Sequence, residues 1–178
     1  MTTGAWLLLS AGVLLVLVLA WTAWTLTRLR RLAARVRRAW EVLDAALLRR
    51  AELAAAIARD SGAQLGRPAA AELAAAAAGA RSPAAGDREA AENALTRELR
   101  RVPAALRQAE APDADVRVGL ARRFYNDAVR DTQALRRSRP ARLLRLHADR
   151  PLPRYFDIDD GLDAVVGAQA TRGGPTGT

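Results

Sequence analysis

Hydrophobic and polar positions divide the chain into one uninterrupted apolar stretch followed by amphipathic segments. No charged side chain occurs between Met1 and Thr27, and most residues of that stretch are apolar. A helix of this length is about 40 Å long, whereas the hydrocarbon core of a bilayer is about 30 Å thick. The stretch therefore predicts a transmembrane helix, whose membrane-interface residues are Trp6 at one end and Trp21, Trp24, Arg28, Arg30 and Arg31 at the other.

Two other interpretations of this stretch stay open. A signal peptide normally carries basic residues before its apolar run; none precedes this one, although Val18-Leu19-Ala20 resembles a cleavage site. The buried helix of a soluble protein seldom runs this long without a charge. Because the arginines follow the apolar run, the positive-inside rule predicts a single-pass protein of the cell membrane, with its N-terminus outside and its C-terminal domain cytoplasmic.

Beyond the apolar stretch, large apolar residues recur at steps of three and four, which is typical of amphipathic helices. The first such stripe predicts a helix from about Leu29 to Arg59 that continues directly out of the membrane and ends at Ser61-Gly62. Alanine dominates residues 69–78, so we expect a helix there that buries little area, followed by a loop over residues 79–86.

Two further helices are predicted in the second half of the chain. Asp87 is placed to cap a helix that runs to about Glu110 and is kinked or divided at Pro103. After Pro112 the last helix is predicted to bury one stripe of residues at four-residue steps and to end before Pro140. That stripe consists of Val116, Leu120, Phe124, Ala128 and Leu135.

No segment alternates with a period of two for long enough to form a sheet, so the predicted fold is all-α. We expect an N-terminal transmembrane helix followed by an antiparallel helical bundle. The predicted divisions are a transmembrane helix at 1–27, a basic juxtamembrane and first bundle helix at 28–60, the remainder of the bundle at 61–158 and a disordered tail at 159–178.

Composition adds a strong positive charge whose distribution is uneven. The 28 basic residues are all arginine, and the net charge is +9. Residues 28–50 hold eight arginines against Glu41 and Asp44, and residues 122–154 hold ten arginines against three aspartates, whereas the remaining residues carry a net charge of −4. Two basic blocks on either side of a neutral middle favour a membrane-facing surface over a uniform nucleic-acid-binding coat.

The second basic block is the basis of a hypothesis about the membrane surface. If the alanine-rich segment forms a separate helix of the bundle, the bundle has four antiparallel helices and the last one returns toward the bilayer. A solvated basic face is an equally simple interpretation of the same residues. The arginines that would then lie near the anionic leaflet are Arg136, Arg137, Arg139, Arg142 and Arg145.

The segment Ala121-Arg122-Arg123-Phe124-Tyr125-Asn126 resembles the C-terminal signature of the LemA family. In that family the signature helix is followed by a proline and then by a Pro-x-x-Phe segment, and here Pro140 and Pro153-Arg154-Tyr155-Phe156 stand at the corresponding places. The family also opens with one transmembrane helix and a helix that carries tryptophan and a Leu-x-Arg-Arg element. Trp40 and Leu47-Leu48-Arg49-Arg50 correspond to that part.

The resemblance covers most of residues 1–158, although its specific motifs occupy a small part of them. The family's Pro and Asn after the arginine pair are absent here, where the chain reads Glu52-Leu53-Ala54-Ala55-Ala56. The resemblance implies a divergent member, with a helical bundle tethered to the cytoplasmic face of a bacterial membrane and a poorly defined role. It transfers no catalytic residue.

Each candidate site residue has a structural interpretation as well. Tyr125 is expected to pack into the bundle, and Asn126 to bond a neighbouring loop. The pairs Arg49-Arg50 and Arg122-Arg123 either receive an acidic partner or lie at the bundle edge, paired with Glu52 or Asp127, and we favour the edge. The acidic cluster Asp157, Asp159, Asp160 and Asp163 lacks the EF-hand spacing, so we expect it to keep the tail soluble.

The sequence offers few residues for catalysis or for binding a metal or cofactor. The chain has no cysteine and one histidine, His147, and it contains no phosphate-binding or nucleophile motif. We therefore expect a non-enzymatic interaction or scaffold protein without cofactor, metal or small-molecule substrate, whose partners are the lipid bilayer, a protein and, in one interpretation, a second copy of itself. The alternative is a basic membrane protein that binds nucleic acid. Few aromatic residues are left for base stacking, so no nucleic acid is expected.

Overall fold

The computed structural model describes residues 3–82, 87–107, 110–137 and 151–159, without the side chains of 110–112. These residues form five α-helices and one short 3-10 helix, and the described part of the chain contains no strand, as the sequence predicted. The elements are α1 (Thr3–Asp60), α2 (Gly62–Leu65), α3 (Arg67–Arg81), α4 (Arg88–Arg101), the 3-10 turn Ala104–Leu106, and α5 (Glu110–Arg137).

Helix α1 is one continuous helix of 58 residues. Neither Gly nor Pro occurs between Val13 and Asp60, so nothing in the sequence interrupts the hydrogen-bond ladder. The prediction that the apolar stretch and the first bundle helix are continuous is confirmed. Among the described residues, α1 alone is long and apolar enough to cross a membrane, with a mean hydropathy of 2.3 in a window that is 0% buried.

The chain divides into two compact units. The first contains the residues up to Arg38 together with Asp127–Arg154, and the second contains Ala39–Asn126 together with the residues from Tyr155 onward. Both α1 and α5 contribute residues to each unit.

In the first unit, the end of α5 runs antiparallel to α1. The guanidinium of Arg35 lies 2.9 Å from the Asp131 carboxylate, and Leu29 and Arg136 line one cavity. The segment after Pro151 follows α5, because Gln133 and Arg136 donate hydrogen bonds to the carbonyls of Pro153 and Pro151. Of the arginines expected near the leaflet, Arg136 and Arg137 belong to this end of α5, whereas Arg139, Arg142 and Arg145 lie outside the described residues.

In the second unit, the four longer helices α1, α3, α4 and α5 alternate in direction. Glu72 near the start of α3 lies 3.5 Å from Arg101 at the end of α4, so these two helices are antiparallel. Asp44 and Arg50 of α1 pair with Arg88 and Glu92 of α4, so these two helices are parallel. Trp40 and Arg50 lie near Tyr125 and Asp115 of α5, so α1 and α5 are antiparallel. The core uses small side chains that allow close helix approach, and its buried members are Ala51, Ala54, Ile57, Ala58, Leu73, Ala77, Ala80, Leu95 and Val102.

The predicted stripe of α5 is wrong in its first half. Val116, Leu120 and Phe124 are exposed, and of the five predicted residues Ala128 alone is buried. Steps of four residues advance about 40° more than one turn, so a stripe built only from fours drifts around the helix. The buried residues instead alternate steps of four and three, at Ala114, Val118, Ala121, Tyr125, Ala128 and Thr132.

Several predicted helix ends also differ. Helix α4 ends at Arg101, because Pro103 cannot continue the ladder and Val102 is already extended. Asp87 occupies the N-cap position of α4, but its side chain makes no capping hydrogen bond. Helix α3 continues through Gly79, which was expected in a loop, and the remainder of that expected loop, 83–86, lies outside the described residues. Helix α5 begins at Glu110, two residues before Pro112, because a proline in the first turn removes no helical hydrogen bond.

Candidate membrane segment and interaction sites

The first part of α1 presents apolar side chains on all sides. Trp6, Trp21 and Trp24 are exposed, as are the leucines and valines between them. After this segment, Arg28, Arg30 and Arg31 are exposed as well, and the Arg28 guanidinium lies 5.5 Å from the centre of the Trp24 ring. An aromatic ring followed by a cation is the arrangement that suits the boundary between hydrocarbon and headgroups.

Hydroxyl groups within this segment are satisfied by the helix itself. Thr22, Thr25 and Thr27 each donate a hydrogen bond of 2.7–2.9 Å to the carbonyl four residues earlier. Ser10 donates to the Leu7 carbonyl at 3.0 Å. Such internal bonding leaves no hydroxyl of residues 10–27 dependent on water, which is the condition that a hydrocarbon environment imposes.

Three aromatic residues from the quoted motifs meet in the second unit. The Trp40 ring lies edge-on to Tyr125, with ring centroids 5.3 Å apart, and to Phe156, with centroids 5.6 Å apart. Edge-to-face pairs at this separation are favourable beyond the area that they bury. Burial raises the pKa of the Tyr125 hydroxyl, and the charge of Glu89 raises it further.

Asn126 anchors the segment that carries Phe156. Its side-chain nitrogen donates to the Phe156 carbonyl at 3.0 Å, and its side-chain oxygen accepts from the Phe156 backbone amide at 2.9 Å. The expectation that Tyr125 packs into the bundle while Asn126 bonds a neighbouring segment is confirmed. Of the other motif residues, Tyr155 is exposed and Pro140 lies outside the described residues.

The two arginine pairs each divide into one exposed and one buried member. Arg49 is exposed and lies 3.7 Å from Glu52, as expected for a surface pair, and Arg123 is exposed as well. Arg50 and Arg122 are buried, so the interpretation of both pairs as bundle-edge charges is wrong for these two residues. Asp127 pairs with Arg130 one turn later along α5.

Arg50 and Glu92 are the buried centre of an ionic cluster that joins three helices. The Arg50 guanidinium lies 2.8 Å from Glu92 of α4 and 3.7 Å from Asp115 of α5. Arg88 lies 3.3 Å from Glu92 and 2.9 Å from Asp44 of α1. Burial raises the pKa of Glu92, an effect that the nearby Arg50 and Arg88 partly offset. We call these five residues the ionic cluster.

The ionic cluster is absent from the predictions made from the sequence, although the sequence contains a signal for it. Arg50 lies three residues after Leu47 and Glu92 lies three residues before Leu95, so each charge interrupts an apolar stripe at helical spacing. One positive and one negative interruption on two core-facing stripes are typical of a buried ion pair, because an unpaired buried charge is costly.

The acidic cluster near the C-terminus has a structural role in its described part. Asp159 forms a two-point ion pair with Arg100, at 2.7 and 2.9 Å, and its backbone amide donates to Asn93. Asp159, where the disordered tail is predicted to begin, is thus held by Arg100 and Asn93, whereas Asp160, Asp163 and His147 lie outside the described residues. Within the described part of the chain, no three His, Asp or Glu side chains are grouped as metal ligands.

An apolar groove lies on the surface of the second unit between α1 and α5. Val42, Ala45 and Arg49 line it on α1, and Arg117, Leu120 and Phe124 line it on α5; its volume is about 400 Å³. We call it the α1–α5 groove. A separate cavity of about 270 Å³ in the first unit is lined by apolar residues, among them Leu29 and Leu152, with Arg30 and Arg136.

No protein-family model, curated protein or solved structure matches this chain.

Proposed function

We propose that this chain is a single-pass membrane protein whose helical bundle lies on the cytoplasmic side of the cell membrane and binds other proteins without catalysing a reaction. The observation that carries the proposal is the continuity of α1. One helix contains both the exposed apolar segment and the buried residues of the first bundle helix, with no loop between them. Such a helix tethers the bundle directly to its anchor.

The proposed orientation rests on the distribution of arginine. Six arginines follow the apolar segment within residues 28–38, whereas no charged side chain precedes it. Arginine in a short flank favours the cytoplasmic side. The Arg136 side chain adds a cation beside Leu29 and Arg30 in the first unit, in agreement with the same orientation.

We also propose that the protein is of the LemA type, and that the cell is bacterial, as that resemblance implies. The support comes from residues of three separate motifs that meet in space. Trp40 contacts Tyr125 and Phe156, and Asn126 is hydrogen-bonded to Phe156. Motif residues that are far apart in sequence and meet in space are typical of a fold signature. An interaction role is supported by large apolar residues that remain exposed in the second unit, namely Val42, Val116, Leu120 and Phe124.

Membrane integration is tested by fractionating cells that express the full-length chain. We expect the protein in the membrane pellet after alkaline carbonate extraction, and mass spectrometry should find the N-terminal residues intact. Recovery of a soluble protein with a new N-terminus near Trp21 would show that the apolar segment is a cleaved signal peptide and would overturn the anchor. The interaction role is tested by crosslinking in native membranes, where reproducible adducts are expected, and their absence would contradict it.

A further inference from the structure

One cavity of the first unit combines an apolar lining with two arginines. Arg30 of α1 and Arg136 of α5 both line it, and its volume is about 270 Å³. The apolar part of the lining comes from α1 and from the segment after Pro151, and it includes Leu29, Ala33, Val36, Leu152 and Pro153. We call it the first-unit cavity. A ligand that matches both parts of this lining has an apolar portion and an anionic group.

Helix α5 holds the segment that forms one side of the cavity. The Gln133 side chain donates a hydrogen bond to the Pro153 carbonyl, and the Arg136 guanidinium donates one to the Pro151 carbonyl, both at 2.9 Å. Leu152 lies between these two anchored residues and is 44% exposed. An apolar side chain that is fixed through both of its neighbours and still reaches solvent offers contact area to a ligand.

The first-unit cavity begins where the apolar segment of α1 ends. Trp24 and Arg28 mark that end, because the Arg28 guanidinium lies over the Trp24 ring. Leu29 is the next residue, and Val36 lies about 12 Å further along the helix than Arg28. The headgroup layer on each side of a bilayer is about 5–8 Å thick. When α1 crosses a membrane, Leu29 and Arg30 therefore lie at the depth of the phospholipid phosphates.

The carboxylates of the first unit do not balance its arginines. The unit contains the residues up to Arg38 together with Asp127–Arg154, and these ranges hold fourteen arginines, three aspartates and no glutamate. Asp131, which precedes the lining residue Thr132, already lies 2.9 Å from the Arg35 guanidinium. Eleven arginines remain in excess even when every aspartate of the unit is paired. An excess of this kind attracts an anionic ligand.

From these observations we propose that the first-unit cavity binds an anionic phospholipid of the surrounding leaflet. The proposal rests on the proposed function, because a membrane-spanning α1 is what brings the cavity to the depth of the headgroups. Arg30 and Arg136 bind the lipid phosphate, and Leu29, Val36 and Leu152 contact the glycerol and the first methylene groups of the acyl chains. Basic pockets beside transmembrane helices recognise anionic headgroups in this way.

Other phosphate compounds match the cavity less well. A free phosphate ester carries the charge but leaves the apolar lining without a partner. The bases of a single-stranded nucleic acid stack on aromatic side chains, and the described lining residues include none. A phospholipid matches the charge, the apolar lining and the depth together.

Binding is tested by competition in micelles of a neutral detergent. The full-length protein is taken from the carbonate-resistant membrane fraction and mixed with a phosphatidylglycerol probe that carries a photoreactive headgroup, and mass spectrometry maps the crosslinks. We expect crosslinks at residues that line the first-unit cavity. Unlabelled phosphatidylglycerol should displace the probe with an affinity about tenfold above that of phosphatidylcholine. Equal displacement by the two lipids, or crosslinks confined to other residues, overturns the proposal.

Two soluble competitors distinguish the sources of phosphate at physiological ionic strength. Glycerol phosphate has the phosphate ester without acyl chains, and a short single-stranded RNA has many phosphates. Neither should displace the probe at concentrations at which phosphatidylglycerol does. Displacement by glycerol phosphate would identify a soluble phosphate ester as the ligand, and displacement by the RNA would identify a nucleic acid. Either result overturns the proposal.

A matched pair of arginine variants locates the charge. Arg30→Gln should weaken binding of phosphatidylglycerol about fivefold. Arg31→Gln removes the same charge from the next exposed position of α1, outside the described lining, and should leave binding nearly unchanged. Equal losses in the two variants would show a diffuse basic surface in place of a site and would overturn the proposal.

A third variant tests the cavity without changing any charge. Ala33 lines the cavity and is exposed, so Ala33→Phe places a ring in the cavity without disturbing the core. This variant should lose the crosslinks at the lining, and unchanged crosslinking would contradict the assignment. Because only protein from the carbonate-resistant fraction is used, failure here leaves the anchor intact, whereas failure of the proposed function is seen as loss of that fraction.

Discussion

At the scale of single residues, the pair formed by Arg50 and Glu92 is the most consequential feature of the bundle. Both side chains are almost fully buried, and Glu92 is fully excluded from solvent. A buried ion pair is a weak source of net stability, because desolvation of the two charges opposes their attraction. Losing one partner is costly all the same, since the other charge is left in the core.

Replacing one or both partners separates these two effects. Glu92→Leu leaves Arg50 without its closest carboxylate and should lower the free energy of unfolding by about 3–5 kcal/mol. The double variant Arg50→Met/Glu92→Leu should recover most of that loss, because no isolated charge remains. Urea denaturation of the full-length protein in detergent micelles, followed by circular dichroism, measures both. Glu52→Leu, at the exposed partner of Arg49, is the control and should change stability by less than about 1 kcal/mol.

The raised pKa of Glu92 predicts how stability depends on pH. In the folded chain the pKa of the Glu92 carboxyl lies above its ordinary value of 4.5, chiefly because of burial. The folded chain therefore binds this proton more tightly than the unfolded chain does. The contribution of Glu92 to stability is fully present below the ordinary value and is lost as the pH rises through the folded pKa. The unfolding free energy of the wild type should fall with rising pH relative to Glu92→Gln. A rise over this range would show that Arg50 and Arg88 outweigh burial.

At the scale of elements, the buried stripe of α1 could be predicted from the sequence, whereas that of α5 could not. The stripe that predicts the first bundle helix includes Leu43, Leu47 and Ile57, and all three are buried. In α5 the core face consists largely of alanine and of polar residues such as Thr132, while Leu120 and Phe124 lie outside. Hydrophobicity then points to the wrong side of the helix.

Two glycines of α2 and α3 provide a matched prediction about these elements. Gly79 lies inside α3 with open space where a side chain would go, so Gly79→Ala should stabilise the protein by about 0.5–1 kcal/mol. Gly66, between the two helices, also has open space, but its φ of 83° is a conformation that other residues rarely adopt. Gly66→Ala should therefore destabilise the protein by about 1–3 kcal/mol.

Thermal unfolding of the two glycine variants beside the wild type checks this prediction. We expect the midpoint to rise for Gly79→Ala and to fall for Gly66→Ala. A fall in both variants would contradict the assignment of Gly79 to a continuous helix.

At the scale of the whole molecule, the helical class and the one long apolar helix follow from composition and periodicity, which are strong signals over long segments. The α1–α5 groove could not be predicted in the same way, because the sequence pattern assigns Leu120 and Phe124 to the core. The contact of Trp40 with Phe156 joins positions 116 residues apart, and spacing alone cannot show such contacts. The family resemblance suggested those residues, and the fold gives their contacts.

The central claim, an anchored bundle on the cytoplasmic side, is tested most directly by thiol labelling. The natural chain has no cysteine, so each single-cysteine variant carries one reactive thiol. With a membrane-impermeant maleimide, Thr3→Cys should be labelled in intact cells, whereas Arg59→Cys, at an exposed position near the end of α1, should be labelled only after lysis. Labelling of Arg59→Cys in intact cells, together with protection of Thr3→Cys, would contradict the account.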